Sequence, residues 1–348
     1  MTKIALLCNG YGLVNRGAEI YTKKMYDILR DTFDIDIYGI KETDHSTGVT
    51  SKTRDEFKLP WRNGRAYLES YYFCEKWYKL MIKDNAKKYD IVLNNAGFPG
   101  SYWCSKYRKK TGTPFIAFER GGGKEERMNL FFKPDCMSFL TKASQDRFSK
   151  KKIKSTILYV GLDVEEYEKD KPESKLLEGL ERPIFLSTSA IVGFKRIDLI
   201  IKAISKIDKG TLIQTSTGNM KDEIVQLGNK LLGSRFKYTG VIPREDLLRL
   251  YKHSDVFINA SRHEAFGNVY TESMASGLPV VTQNDNRRKE VVGNAGIFVD
   301  CEDIQSFAKA LSGASKKKWG EIPYKQARKY SWRVLKPKYV EMIKEVAG

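Results

Sequence analysis

Two carboxylates carry the most chemistry in this chain: Glu264 and Glu272, flanking a Phe266-Gly267 pair. They stand in the run Ser261-Arg-His-Glu264-Ala-Phe-Gly267-Asn-Val-Tyr-Thr-Glu272-Ser-Met-Ala275-Ser-Gly277-Leu-Pro279-Val-Val281. A β-type run ends at Asn259, a polar turn follows, and a helix is expected to start near Gly267. The free amides of a helix start, helped by the macrodipole, bind anions and hydroxyls. Gly267 lets a ligand approach the backbone closely. Glu264 precedes the helix, so its carboxylate can face a ligand there. Glu272, about a turn and a half further on, can accept hydrogen bonds from two neighbouring hydroxyls, as on a ribose. Gly277-Leu278-Pro279 then stops the helix. Taken alone, two glutamates eight residues apart read as a polar loop and an amphipathic helix before a Gly-Pro stop; only the whole string favours a functional reading.

Weaker constellations compete with this one. Asp34-Ile35-Asp36 has the Asp-x-Asp form of metal-dependent sugar transferases, with both carboxylates expected on one face of a strand. A three-residue match is frequent by chance, so no metal site is expected. Gly10-Tyr11-Gly12 after the first strand has part of a dinucleotide fingerprint, with Glu42 as a ribose acid, but Asn15 stands where the third glycine belongs. Phe118-Glu119-Arg120-Gly121-Gly122-Gly123 follows a strand. It reads either as a functional turn or as a flexible one with solvated charges. His263 beside Glu264 reads as loop packing as readily as catalysis.

The string from Glu264 to Val281 resembles the donor-site signature of glycosyltransferase family 4 (the glycosyl transferases group 1), in which Glu, seven residues and Glu precede Ala-x-Gly-x-Pro-Val-Val. Gly17-Ala18-Glu19 is similar to the family's Gly-Gly-Ala-Glu loop, with Arg16 for the first glycine. Tyr159-Val-Gly161-Leu-Asp163 resembles its turn into the second domain, and Lys195-Arg196 with the helix after it resembles its Lys-Gly helix start. Residues 286–300 resemble the segment ending in Gly-x-x-Val.

The resemblance implies a retaining, metal-independent hexosyltransferase with no cofactor, the nucleotide sugar being a substrate. Arg196, Phe266, Gly267, Asn268, Val269 and Glu272 are its expected donor-binding set, and Glu264, Lys195 and Glu119 its expected catalytic set. Gly12, Arg16, Gly17 and Arg120 are expected to form a loop against the diphosphate or the acceptor. As the glycosidic bond breaks the leaving diphosphate gains charge, and Lys195 is the cation to meet it. At the positions expected to do chemistry the sequence departs from the family further: Ala190 stands where an arginine is usual, and no histidine lies near Glu119.

These groups must be held by alternating short β-type and longer helical runs. Strands are expected at 3–8, 35–40, 90–94, 114–118, 137–140 and 156–160, with helices at 18–31 and 65–88. A charged, apolar-poor interval at 163–182 separates this series from a second one. There strands are expected at 184–188, 211–214, 236–239, 256–259, 280–282 and 296–299, and helices at 196–206, 220–232, 244–253 and 267–276. The expected class is α/β and GT-B: two doubly wound Rossmann-like domains facing across a cleft. An N-terminal acceptor domain (1–165) would be joined by a C-terminal helix at about 331–348 packing back on it. A donor domain would cover 166–330.

Composition narrows the partners. The chain has 348 residues and a formal charge of +18, which points to anionic ligands. Residues 1–172 hold 32 basic and 23 acidic residues, leaving +9 for each part, so no basic tail suggests nucleic-acid wrapping. Residues 52–110 are denser, with 14 basic and 6 acidic residues among aromatics. The stretch 61–88 is either a helix with an aromatic inner face and outward lysines, or an acceptor groove or surface touching an anionic membrane. Five scattered cysteines suggest reduced thiols and a cytoplasmic setting, peripheral to the inner membrane face if that surface binds lipid. The expected partners are a nucleoside-diphosphate sugar and a glycan, lipid-linked or small-molecule acceptor. A non-catalytic nucleic-acid-binding protein and a Rossmann-type oxidoreductase are the alternatives; both leave the Glu264–Val281 string unexplained.

Overall fold

The structure is a computed structural model describing residues 1–13, 17–53, 56, 62–83, 88–123, 125–148 and 153–348. The chain forms two compact units: residues 1–160 with 335–348, and residues 161–334.

The first unit runs β1 (Lys3–Leu7), α1 (Gly17–Leu29), β2 (Asp34–Gly39), β3 (Ser46–Gly48), α2 (Arg62–Ile82), β4 (Ile91–Asn94), α3 (Phe98–Thr111), β5 (Phe115–Phe118), α4 (Glu125–Phe131), β6 (Cys136–Phe139), α5 (Lys142–Phe148) and β7 (Ser155–Ile157). All neighbours pair parallel, in the order β3-β2-β1-β4-β5-β6-β7. β4, β5 and β6 are buried along their whole length, which is why they read as apolar runs and not as alternation. Helix α2 turns Phe73, Cys74, Trp77 and Met81 into the core.

The second unit repeats the plan: α6 (Val164–Glu168), β8 (Ile184–Ser187), α7 (Ile197–Ile204), β9 (Thr211–Thr215), α8 (Lys221–Leu232), β10 (Phe236–Gly240), α9 (Arg244–His253), β11 (Val256–Asn259), α10 (Asn268–Ala275), β12 (Val280–Gln283), α11 (Asn286–Val292), β13 (Gly296–Val299), α12 (Ile304–Lys316) and α13 (Ile322–Arg328). Its parallel sheet has the order β10-β9-β8-β11-β12-β13. Helix α14 (Trp332–Ala347) begins in the second unit and ends in the first.

The expected strands appear within one to three residues of their bounds. Elements with no clear periodicity were not anticipated. β3 is a polar Ser-Thr-Gly triplet added parallel to β2. α3 opens on Phe98-Pro99-Gly100, a breaker pattern, yet proline is tolerated in a first turn and Gly112 closes the helix in the left-handed conformation. The Asp-x-Asp pair does not act as a unit: Asp36 accepts the Tyr89 hydroxyl proton at 2.6 Å and lies 3.8 Å from Lys3, while Asp34 is exposed at the start of β2.

Candidate active site

In the second sheet the chain runs outward to β9 and β10 from one side of β8, then returns to start β11 on the other. Such a reversal opens a crevice at the carboxyl ends of the two central strands, where doubly wound folds bind ligands. Two loops rim it, 188–196 after β8 and 260–267 after β11. The Arg262 amide donates to Phe194 O at 2.7 Å, tying the loops together.

Lys195 and Glu264 meet here as a close, largely buried ion pair. Asn259, the last residue of β11, donates to Glu264 Oε1 at 3.2 Å and to Ser189 Oγ at 3.3 Å. Its Oδ1 accepts the Ser261 amide at 2.8 Å, so one side chain sets both the loop and the carboxylate. Gly267 precedes α10 with φ +85°, and a Cβ there would overlap the Tyr270 ring. No side chain caps this helix start, so the amides of Asn268 and Val269 are available to a ligand. Gly267→Ala is therefore expected to cost about 1–3 kcal/mol of stability from the left-handed backbone alone and, if these amides hold the expected nucleotide, to weaken its binding. Urea denaturation and calorimetric titration check the two effects separately.

Glu272 is carried by α10, the helix that starts at the end of the 260–267 loop. Its Oε2 accepts the Tyr251 hydroxyl at 3.1 Å, and Tyr251 OH is 3.1 Å from Thr188 Oγ1. Both glutamates are thus linked to adjacent residues of the β8 loop, Thr188 and Ser189. Burial raises the Glu272 carboxyl above its ordinary range, while the Tyr251 hydrogen bond and the Arg244 charge pull it down.

Three anticipated residues are placed differently. Arg196 adopts a left-handed conformation (φ 53°) and is buried, donating to Ala260 O at 2.7 Å, Glu302 at 2.8 Å and Gln283 at 2.7 Å. Its guanidinium braces the β11 and β12 ends through these three protein acceptors. Phe266 turns inward, edge-on to Tyr330 at 5.5 Å. Glu119 is buried and accepts the Leu140 amide at 2.7 Å, bridging the ends of β5 and β6.

In the first unit the strand order reverses between β1 and β4, and a cavity of about 270 Å³ lies there. Asn9, Glu19, Tyr67, Phe98, Arg120 and Glu126 are among its lining residues. Asn9 donates to Glu69 at 2.9 Å, and its buried Oδ1 has no partner among the described residues. Glu126 accepts the Arg120 and Gly121 amides at 3.1 and 3.3 Å, and the Asn129 amide group at 2.9 Å. Gly10 passes close under Glu19, where a Cβ would overlap the carboxylate. Gly12 does not line the cavity; with φ +81° it packs against Lys41 and Thr43. Gly17 opens α1 with no described residue within 4 Å of a Cβ placed there, and Arg16 lies outside the described residues.

Sequence reasoning missed Asn259, Tyr251, Arg288, Asn9 and Glu126. Arg288 is buried, donates to Ser261 O at 2.5 Å and to Tyr270 OH at 3.0 Å, and so buttresses the 260–267 loop. Its only signal is a cation among the apolar positions of α11. Tyr251 is hidden in the ordinary helical periodicity of α9.

Residues 168–331 match the model of the family described as glycosyl transferases group 1. The O-antigen chain mannosyltransferase B of Escherichia coli is 37% identical over 101 residues, 28% of this chain and 26% of that protein. Alignments span 26% to 57% of the lengths of the first three curated relatives. Two solved structures share the fold over nearly the whole chain. Sucrose-phosphate synthase from Thermosynechococcus elongatus has a TM-score of 0.79 at 17% identity, with 99% of each chain covered. Anabaena HepE, in complex with UDP and glucose, has a TM-score of 0.76 at 17% identity, covering 99% of this chain and 100% of its own. The architecture is therefore GT-B, built of two Rossmann-like units, and the segment 168–331 that carries Lys195, Glu264 and Glu272 is the part that matches the group 1 glycosyltransferases.

Proposed function

We propose that this protein is a retaining, metal-independent glycosyltransferase that moves a hexose from a nucleoside-diphosphate sugar to a hydroxyl of a glycan, lipid-linked or small-molecule acceptor. The reading rests chiefly on one observation: the Lys195–Glu264 pair and Glu272 are both anchored to the β8 loop, beside an uncapped helix start at the strand-order reversal. Glu272 takes the ribose hydroxyls, and the Asn268 and Val269 amides with Lys195 take the diphosphate. Glu264 contacts the transferred sugar once the diphosphate draws Lys195 from it. The anomeric carbon–oxygen bond breaks toward the diphosphate, whose growing charge Lys195 meets. An acceptor hydroxyl attacks from the face being vacated, and its proton passes to the departing phosphate oxygen. The binding of UDP and glucose by HepE supports a nucleotide-sugar donor.

The acceptor is assigned to the first unit's cavity, where Asn9 Oδ1 offers an acceptor to a ligand hydroxyl and Arg120 a positive charge. Five buried free thiols suit a reducing, cytoplasmic setting. A thermal-shift panel of UDP-, GDP- and ADP-sugars with EDTA present tests the reading, since the native donor stabilises by mass action. At least one sugar nucleotide is expected to raise Tm. No shift with any of them, or a shift and transfer that both require added divalent metal, removes the assignment as stated.

A further inference from the structure

The outer face of the first unit's helical layer has an organisation that sugar transfer does not use. On α2, Tyr72, Lys76, Lys79 and Leu80 form one exposed stripe at helical spacing. On α3, Lys106, Lys109 and Lys110 form a second below Tyr102. On α4 and just after it, Arg127, Met128, Phe131 and Lys133 are exposed, Phe131 to 66%.

The stripes are joined by a row of touching rings. Tyr72 meets Tyr71 at 5.6 Å, Tyr71 meets Tyr102 at 6.1 Å, Tyr102 meets Phe132 at 5.5 Å and Phe132 meets Phe131 at 5.3 Å. Lys106 Nζ sits 5.0 Å from the Tyr102 ring. Opposing charge is nearly absent: among the described side chains of these helices, Glu69 and Glu126 are buried and Glu75 is half-buried against Lys79 at 2.8 Å.

We propose that this α2–α3–α4 face is a docking surface for an anionic phospholipid bilayer. Cations rim an apolar and aromatic strip, so lysines reach phosphate headgroups while Leu80, Met128 and Phe131 enter the boundary with the acyl chains. The arrangement disfavours nucleic acid. Most of the rings pack edge to face on one another, leaving few free faces for bases to stack on. No helix among the described residues is long and apolar enough to cross a membrane, so the association is peripheral and salt-sensitive.

Sedimentation of the full chain with vesicles tests this. Phosphatidylcholine vesicles are compared with vesicles carrying about a third phosphatidylglycerol, the range where basic surfaces respond to lipid charge. The anionic vesicles are expected to take up the protein and the neutral ones not. Combined Lys76→Glu, Lys79→Glu and Lys106→Glu should lower partitioning by roughly tenfold or more, with circular dichroism and Tm unchanged. Phe131→Ser alters one highly exposed side chain, so it tests the apolar strip with little risk to folding; its partitioning should drop about threefold or more, as expected for removing buried apolar area. Equal uptake by neutral vesicles, no uptake by anionic ones, or wild-type partitioning in both variants overturns the proposal. Competition in which single-stranded RNA binds this face and vesicles do not would overturn it as well.

Discussion

Lys195→Ala is expected to lower the rate of sugar transfer by about two to three orders of magnitude, the usual cost of losing one group aimed at developing charge. Nucleotide affinity should change far less, because in the proposed binding mode the α10 amides and Glu272 still hold the donor. The reason lies in the local geometry. Lys195 ends a short turn after β8 and its ammonium reaches Glu264 across the crevice. With Arg196 committed to Ala260, Glu302 and Gln283, and alanine at position 190, no neighbouring cation on this loop replaces it. Lys195→Met, which keeps most of the stem, should behave like the alanine variant and so separate charge from packing. The check is turnover under saturating donor alongside calorimetric nucleotide binding. Wild-type turnover in both variants would remove Lys195 from the mechanism.

Glu272→Ala has its main effect on binding. A hydrogen bond to a charged group contributes about 1.5–3 kcal/mol, so losing the ribose contact should raise the nucleotide Kd by roughly tenfold to a hundredfold. The same residue sets a pH dependence. Burial favours the neutral carboxyl, so Glu272 protonates at a pH above the ordinary value of 4.5. The carboxylate accepts from two hydroxyls with both oxygens, whereas protonation turns one of them into a donor and weakens that pairing. Affinity should therefore be full near neutrality and decline as pH falls through the raised pKa, earlier than an exposed glutamate would allow. The sign for the ligand-free fold is opposite: the ionised, desolvated carboxylate costs stability at higher pH, and that cost is relieved as pH drops. Nucleotide titrations from pH 7.5 to 5 on wild type and Glu272→Gln isolate the effect, since the nucleotide's own phosphate titration is common to both. Parallel curves for the two proteins would show that Glu272 does not touch the ligand.

Much of this site is legible in the order of residues alone. Gly267 and the Gly277-Leu278-Pro279 stop place helix α10, because backbone conformation there depends on adjacent residues. Runs such as Ile-Val-Leu-Asn and Val-Phe-Ile-Asn place the buried strands, because they leave little choice of environment. Partnerships across the fold are not legible in this way. Arg196 sits beside Lys195 in sequence, yet with its left-handed backbone it reaches Gln283 at the end of β12, while Lys195 reaches Glu264. Glu119 bears a charge beside glycines and looks like a cleft residue, but the β5–β6 register puts the Leu140 amide in its reach.

The aromatic-cationic segment divides along the same line. Its periodicity alone sorts Phe73, Cys74, Trp77 and Met81 to the inside, and the exposed lysines to the outside. That the outward stripe continues through Tyr102 to Phe131, some thirty to sixty residues away in the chain, depends on α3 and α4 lying beside α2. By itself the sequence determined the two β/α series, the family signature from Glu264 to Val281 and the positions of Gly267 and Glu272, all set by local pattern. Tertiary structure decided that Lys195 pairs with Glu264, that Asn259, Tyr251 and Arg288 hold the loop and the carboxylates, and that Arg196 is a brace. Those depend on which strand lies beside which, a choice made by packing whole elements that no short stretch of residues encodes.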